Sequence, residues 1–538
     1  MKNEEVANLL YQIADILEIQ DVKFKPQAYR RAAQNIESLG ENIEDVHEKG
    51  KLRDIPGIGE AIAKKIGEFL DTGKLKYIED LRSEVPEGLL EMLDIPGLGP
   101  KKVALLHKEL RLSTIEELKK ACENHELEEI KGLGAKTEKN ILRGIELLES
   151  SKGRYLLSQA LSNGGTIKDY LLELKSIKKL ELAGSLRRMK ETVGDIDILV
   201  LSNKAEEVMD HFVEFPDVDE VLMKGDTKSS IRLSDGMQVD IRVVPKKSFG
   251  AALQYFTGSK QHNVKLRKLA ISKGLKINEY GVFKKETNNQ IAGDDEKKVY
   301  KALGLAYVPP ELREDRGEVE VAQEGDIPQL LEHKDIKGDL HVHSEYSDGV
   351  ATIEELVKVS MNLGYSYLAV CDHSGSLKIA GGLSKDRLLK QVDEIQKIND
   401  KIDNFHIFSS IECNINTNGS LDIQSEALKE VDFITGAIHS SFSMNEKDMT
   451  KRIISAMENE KMKILAHPTG RLLQRREGYK VNLNELIDSA KANQVFFEIN
   501  SFPDRLDLND SNIKFAKEKG MKFAISTDAH NIAHLEFM

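Results

Sequence analysis

Apolar residues spaced three to four apart over residues 4–20 and 26–39, with few β-branched runs, predict two amphipathic helices. The middle of the chain has a different rhythm. Residues 180–183 and 196–201 are short runs rich in Leu, Ile and Val. Residues 238–244 alternate polar and apolar positions, so all three segments predict strands. From about residue 336 short apolar runs alternate with helical stretches, and seven of those runs end in polar residues of one chemical kind. Seven strands separated by helices predict a βα barrel, whose chemistry gathers at the C-terminal strand ends. The predicted fold class is multidomain α+β and α/β: helical, then a mixed sheet, then a distorted (βα)7 barrel.

One phrase recurs in the helical part. It reads Asp54-Ile-Pro-Gly57-Ile-Gly59, then Asp94-Ile-Pro-Gly97-Leu-Gly99, then Glu129-Ile-Lys-Gly132-Leu-Gly134, and each copy precedes an amphipathic helix. Two glycines let a backbone turn sharply and approach a ligand. The following helix start offers unpaired amides and a positive dipole end. One copy would be a plain helix joint; three copies favour a grip on DNA phosphates through Gly57, Gly59, Gly97, Gly99, Gly132 and Gly134. The pattern resembles the helix-hairpin-helix motif. Lys25, Tyr29, Arg30, Arg31, Lys64 and Lys65 lie around the first hairpin, and from the residues alone they read as a solvated basic face.

Charge changes that picture in one respect. The 538-residue chain carries 77 basic and 90 acidic side chains, a formal net charge of −13, which read whole argues against a nucleic-acid partner. Split by segment, residues 1–150 carry 23 basic and 30 acidic side chains, residues 151–310 carry 27 and 21, and residues 311–538 carry 27 and 39. A basic middle therefore lies between acidic flanks, and an amide grip on phosphate needs few cations. Hydrophobic residues at 40% and charged residues at 31% fit a soluble globular protein. The three cysteines, Cys122, Cys371 and Cys413, form no disulfide framework and fit a reducing cytosol. No signal peptide is evident, and no apolar run approaches the roughly 20 residues of a membrane span.

Asp195 and Asp197 are two apart on a predicted strand, so both face one side while Ile196 and Ile198 face the other. Asp240 alternates in the same way on its own run. Three converging carboxylates repel one another and need a cation, for which Mg²⁺ with substrate phosphates fits best. Gly184-Ser185, with Arg187 and Arg188, precedes them as a small turn suited to a triphosphate. These residues, with Val239-Asp-Ile-Arg242, resemble the nucleotidyltransferase pattern. Tyr255-Phe-Thr-Gly-Ser259, His262-Asn263, Arg267 and Asn278-Glu-Tyr280 narrow the resemblance to the family X DNA polymerases over about residues 1–310. The resemblance implies that Asp195, Asp197 and Asp240 hold two metals, with Asp240 nearest the primer 3′-hydroxyl. It implies that Ser185 and Arg188 contact the triphosphate, and that Tyr255, Phe256 and Gly258 line the sugar pocket. Asn263 would reach a base edge and Arg267 the template. It further aligns the Schiff-base lysine of lyase members with Lys65, beside Lys25 and Tyr29.

The barrel's strand ends carry His341, His343 and Asp348; Asp372 and His373; Glu412; His439; His467; Asn500; and Asp528 with His530. Imidazole and carboxylate together suit Zn²⁺, Mn²⁺ or Fe²⁺, and the count exceeds one tetrahedral site, so two or three ions are implied. The pattern resembles the polymerase and histidinol phosphatase (PHP) domain. His341, His343, Asp348, His373, Glu412, His439, His467, Asp528 and His530 match its metal positions, whereas Asn500 matches none. Arg471 and Arg475 read as solvated charge. The resemblance implies 3′–5′ exonuclease activity with Mn²⁺ or Zn²⁺ and leaves open cleavage at abasic sites or of 3′-blocking phosphates.

The expected partition is a helical lyase-like domain at 1–80 and a second hairpin subdomain at 81–150. A nucleotidyltransferase palm at 151–245 and a nucleotide-selection subdomain at 246–310 follow. An acidic linker at 311–335 then leads to the PHP domain at 336–538, whose last residues read as a helix at an apparently truncated end. The expected protein is a cytoplasmic monomer acting on gapped or nicked DNA with deoxynucleoside triphosphates, without a membrane partner. The rival reading is a DNA-end-processing hydrolase that uses the polymerase region for docking.

Overall fold

Helix α1 (Lys2–Ile19) lies along α2 (Lys25–Glu37), and the face between them is apolar: Val6, Leu10, Ile13, Ala32, Ala33 and Ile36 are fully buried. The computed structural model describes residues 2–37, 42–95, 98–130, 132–151, 153–375, 381–423 and 429–538. Helices α3 (Glu60–Thr72), α4 (Pro100–Leu110) and α5 (Ala135–Ser151) each follow one copy of the repeated phrase. The apolar residue between the two glycines is buried every time, as Ile58, Leu98 and Leu133. Its amide closes the same short turn, onto the carbonyls of Ile55, Ile95 and Ile130 at 3.1, 3.0 and 3.0 Å. Gly57 and Gly132 adopt φ of +77° and +96°, a region costly for any residue with a Cβ. Gly97 lies outside the described residues. Gly59 and Gly99 stand at the starts of α3 and α4 with exposed backbone.

Residues Ser151–Glu332 form a unit of their own. Its five-stranded sheet has the order β1 (Ile177–Leu182), β2 (Asp195–Ser202), β5 (Gln238–Val243), β4 (Lys228–Leu233) and β3 (Val218–Lys224). Only β2 and β5 are parallel; the other neighbours are antiparallel, so the sheet is mixed. Ile196, Ile198, Val239 and Ile241 turn one face into the core with Phe212.

The expected linker at 311–335 behaves otherwise over its first half. It contains α10 (Glu318–Glu324), whose Val319 and Ala322 join the core of α9 (Glu296–Ala302). Arg313 is fully buried, and its Nη1 donates to Glu296 Oε1 at 2.6 Å. Arg187 donates to both Glu296 oxygens at 2.9 and 2.8 Å. Glu318 meets His262 Nδ1 at 2.6 Å and accepts from the Asp315 and Arg316 amides. Charges that look solvated in sequence are here paired with distant buried partners.

The C-terminal barrel has parallel strands β6 (Gly338–Val342), β7 (Tyr367–Val370), β8 (His406–Ser409), β9 (Glu412–Asn414), β10 (Ile434–Ala437), β11 (Met462–Leu465), β12 (Phe496–Asn500) and β13 (Phe523–Ser526). Strands β8 and β9 are one barrel strand broken after Ser409: β8 pairs with β7 and β9 with β10, which leaves seven staves. A bridge between Val342 and Ala529, with His343 N donating to Ala529 O at 2.8 Å, joins the last stave to the first. The outer helices start on side-chain caps, among them Thr352 in a capping box with Glu355, Ser384, Asn445 and Asn482. The helix expected at the end is a 3-10 segment, Ile532–Phe537, with Leu535 buried.

The Glu296 cluster sets an acid limit. Burial opposes ionisation of Glu296, but Arg187 and Arg313 outweigh it and draw its pKa down to about 2. A depressed carboxylate stabilises the fold above its unfolded value and loses that contribution as pH falls toward the folded value. Residues 151–332 should therefore lose stability between about pH 4.5 and 2. Glu296→Gln, which strands two buried guanidiniums, should cost about 3–5 kcal/mol at pH 7 and flatten that acid slope. Denaturant unfolding followed by hydrogen exchange in this unit measures both effects.

Candidate active sites

Asp195 and Asp197 stand on β2 and Asp240 on β5. The parallel register sets Asp197 directly opposite Asp240 and Asp195 opposite Gln238. Strand alternation puts all three carboxylates on the face opposite the buried Ile196, Ile198 and Ile241. Gly184 opens α6 (Gly184–Arg187) at φ +63°, and a Cβ there would lie 2.5 Å from Asp197 Oδ2, so only glycine lets the turn come this close. Burial, then Asp195 and Asp240, push the Asp197 pKa up to about 7; burial and Asp240 also raise Asp195. Lys228 Nζ lies 3.4 Å from Asp240 Oδ2. Half-buried Asp197 and Asp240 with the exposed Asp195, carboxylates that resist ionising together, fit a divalent cation with oxygen preference, such as Mg²⁺.

Ser185 is half-buried in α6. Arg188 is held on two sides: Nε donates to Glu314 Oε1 at 2.8 Å and Nη1 to the Thr257 carbonyl. Tyr255 and Phe256, near the end of α7 (Phe249–Thr257), meet edge to face at 5.2 Å, and the Arg242 guanidinium sits 4.7 Å over Phe256. Gly258, at φ +73°, passes so near Arg188 that a Cβ would stand 3.1 Å from Nη1. Asn263 lies on α8 (Lys260–Ser272). Its Nδ2 donates to Tyr255 O and its Oδ1 accepts from Gln254, both at 2.7 Å, so its side chain is buried in bracing the Tyr255 backbone. Arg267, one turn further along, is exposed.

Near the first hairpin, Lys65 on α3 is half-buried with Nζ 4.3 Å over the Tyr77 ring. Burial and then Lys25 lower its pKa. Tyr29 is buried and stacks on Tyr77 at 6.4 Å. Lys25 begins α2.

At the barrel, all nine positions expected to ligate stand at one end and meet. His343, Asp348, His373 and His530 form one group; His341, His343 and Asp528 a second; His373, Glu412 and His439 a third. Within each group the ligand atoms lie within 4.8 Å of one another. His467 joins through Nε2, 3.1 Å from Glu412 Oε1. His341 and His343 point Nε2 at Nε2 across 3.2 Å, and His343 Nε2 is 3.1 Å from Asp528 Oδ1. Among the described residues, buried His343 Nδ1 and His467 Nδ1 have no hydrogen-bond partner, and His373 Nδ1 crowds Glu412 Oε2 at 2.7 Å. Buried imidazole and carboxylate atoms crowded in this way fit two or three borderline cations such as Mn²⁺ or Zn²⁺. Asp528 and His467 hold φ of +56° and +29°, strained backbone of the kind that clusters at functional sites.

Sequence reasoning missed the layer beneath. Asp339 accepts from the His341 amide and from Thr527, Asp372 from Ser344, Ser347 and Gln391, and Asn414 faces His439 Nδ1 at 2.6 Å. Asn500 bonds Glu498 and Asp528. The one sequence signal was a carboxylate alternating inside an apolar strand. Arg471 bonds the Leu506 carbonyl, whereas Arg475 is exposed and pairs with Asp504 at 3.3 Å.

Hairpins, a carboxylate-bearing mixed sheet and a histidine-ringed barrel define a class, a polymerase-type chain that also carries a hydrolase-type metal centre. The chain belongs to the bacterial-type family X DNA polymerases that bear a C-terminal PHP domain. Family models match for a helix-hairpin-helix domain at residues 1–75, a SAM-like helix-hairpin-helix tandem at 89–146, a DNA polymerase beta thumb at 252–314 and a PHP domain at 339–502. The chain is 39% identical over 541 residues to the DNA polymerase/3′-5′ exonuclease PolX of Bacillus subtilis (strain 168), covering 100% of this chain and 94% of that one. It is 25% identical over 344 residues to DNA polymerase lambda of Rattus norvegicus, covering 58% and 56%. A probable phosphatase of Thermoanaerobacter sp. (strain X514) matches 36% of the chain and 78% of its own length at 29% identity. Among the described residues, no helix is long and apolar enough to cross a membrane.

The raised Asp197 pKa has a measurable sign. A carboxyl whose folded value exceeds its unfolded value stabilises the fold below the unfolded value, near pH 4, and loses that contribution as pH rises through about 7. Without divalent ions, Asp197→Asn should therefore melt higher than the parent at pH 8 and equally at pH 3. Mg²⁺ should narrow the pH 8 gap by stabilising only the parent. Thermal melts in chelator and in Mg²⁺ check the sign.

Proposed function

We propose that this chain is a DNA-directed DNA polymerase that fills short gaps in base-excision repair, joined to a metal-dependent 3′–5′ exonuclease in its barrel. The observation that carries the reading is two complete donor sets, Asp195, Asp197 and Asp240 on one sheet and nine ligands in one barrel mouth. They stand in a chain alignable end to end with a protein named for both activities. The substrates are gapped or nicked DNA and deoxynucleoside triphosphates, and the protein works as a cytoplasmic monomer.

In the sheet, the three aspartates would hold two Mg²⁺; in the barrel, the nine ligands would hold two or three Mn²⁺ or Zn²⁺. When bound, such ions neutralise phosphate charge and, in the barrel, lower the pKa of water. The rest falls to the chain. Gly184 leaves room for the triphosphate turn, and Ser185 and Arg188 donate to its oxygens. Tyr255, Phe256 and Gly258 shape the sugar pocket, and Asn263, which braces the Tyr255 backbone, reaches a base edge. Asp240 takes the proton of the primer 3′-hydroxyl, whose oxygen attacks the α-phosphorus in line and expels pyrophosphate. Arg267 and the hairpin amides at Gly57, Gly59, Gly97, Gly99, Gly132 and Gly134 hold DNA phosphates. A separate observation favours a 5′-deoxyribose-phosphate lyase: Lys65 is half-buried, its pKa is lowered, and Tyr77 lies beneath its amine.

Two separations test the reading. Asp195→Ala with Asp197→Ala should cut gapped-primer extension at least about 100-fold and spare Mn²⁺-dependent 3′ trimming; His343→Ala should do the reverse. Unchanged extension by the double variant rejects the sheet site, and trimming without extension in the parent chain favours the hydrolase reading. For the lyase, borohydride should trap the parent chain on 5′-deoxyribose-phosphate DNA and trap Lys65→Ala far less. Equal trapping removes Lys65 from that role.

A further inference from the structure

Glu498 belongs to none of the strand-end ligands. It lies on β12 in the run Phe496–Asn500, fully buried beneath the ligand cluster. Its two oxygens meet four donors. Oε1 is 2.7 Å from His341 Nδ1 and 2.7 Å from Ser526 Oγ; Oε2 is 2.6 Å from the His467 amide and 3.2 Å from Asn500 Nδ2. The amide and the Asn500 nitrogen can only donate, and the Ser526 hydroxyl donates as well. A carboxylate so surrounded acts as acceptor throughout, which puts the His341 proton on Nδ1. His341 Nε2 then presents its lone pair outward, 3.2 Å from His343 Nε2 and 3.7 Å from both Glu412 Oε2 and Asp528 Oδ1.

We propose that Glu498 is the positioning residue of the barrel's metal centre, fixing His341 in the tautomer that ligates through Nε2. The same carboxylate holds the His467 backbone and, through Asn500 Nδ2 at 3.2 Å from Asp528 Oδ2, reaches a third ligand. Three ligands from three staves are thus tied to one buried charge. His439 and His530 are oriented by weaker acceptors, the Asn414 amide oxygen at 2.6 Å and the Asp528 carbonyl at 2.8 Å. A carboxylate partner makes an imidazole a stronger base and a better ligand than a neutral partner does. This inference rests on reading the barrel as a metal-dependent nuclease.

The test uses the full chain and Glu498→Gln, which keeps the side-chain length but offers His341 an amide and removes the charge. Mn²⁺ binding is measured by calorimetry in the Asp195→Ala, Asp197→Ala background, so that the titration reports the barrel. Mn²⁺ dependence of 3′ trimming and of primer extension is measured in the parent background. The expected result is a rise of about 10–100-fold in both the Mn²⁺ dissociation constant and the half-saturating Mn²⁺ for trimming. Trimming should recover at saturating Mn²⁺ and extension should be unchanged. In a His341→Ala background Glu498→Gln should add clearly less than in the parent, because the part of its effect that passes through that imidazole is gone and only the ties to His467 and Asp528 remain. Where the amide impairs folding, Glu498→Asp, which keeps the charge and withdraws it by one methylene, is read in the same way. A folded variant with parental Mn²⁺ affinity, or a full additional loss without His341, overturns the proposal. If the parent barrel binds no Mn²⁺ and trims nothing, it is the nuclease reading that falls.

Discussion

Like groups that repel one another are packed together at two places in this protein, and the rest of the structure serves to keep them there. Asp197 faces Asp240 across a parallel register. In the barrel, His341 and His343 turn the same ring nitrogen toward each other. Burial in a core opposes charge at both places. At Asp197 the neighbouring carboxylates oppose it further, whereas in the barrel Glu498, Asp528 and Glu412 draw the His341 pKa up against burial. The scaffold supplies the compensation: β2 and β5 pin the aspartates through sheet hydrogen bonds, and seven staves pin the barrel ligands. A bound cation would relieve the repulsion among the three aspartates.

Part of what was legible in the sequence is periodic. The 3.6-residue rhythm located α1 and α2 and the two-residue rhythm located β5, because burying one face imposes those periods; β2 stood out as a run of Leu, Ile and Val. Ligand chemistry at strand ends was legible for a related reason: His and Asp following an apolar run have no packing explanation. The three hairpins were legible because one turn geometry demands one phrase, and the buried Ile58, Leu98 and Leu133 show why the middle residue stays apolar.

What stayed hidden depends on partners distant in sequence. Nothing local separates Arg313 from a linker arginine, since its burial is set by Glu296, Tyr300 and Tyr307 folding around it. Asn263 braces Gln254 and the Tyr255 carbonyl with the two ends of its amide, and nothing local in the sequence signals that bracing. Glu498 and Asp339 are buried charges whose donors arrive from other strands. The net charge of −13 misled for the complementary reason: it sums over segments and ignores backbone amides and metal ligands, which bind phosphate without adding basic side chains.

The burial of Arg313 also bears on how the chain can be divided. An apparent boundary near residue 310, where Pro309 and Pro310 introduce an acidic stretch, invites a cut. A fragment ending there would lack one of the two guanidiniums that neutralise Glu296. It would also lack the carboxylate of Glu314 that orients Arg188 and the carboxylate of Glu318 that faces His262. Such a fragment would keep every sequence phrase by which the polymerase region is recognised and lose only the last four residues of its thumb match. It would still be a different physical object, with a vacancy at its charged centre and a loosened arginine beside its sheet. The structural boundary of the region is therefore set by its last buried charge, Glu318, four residues beyond the end of the thumb match.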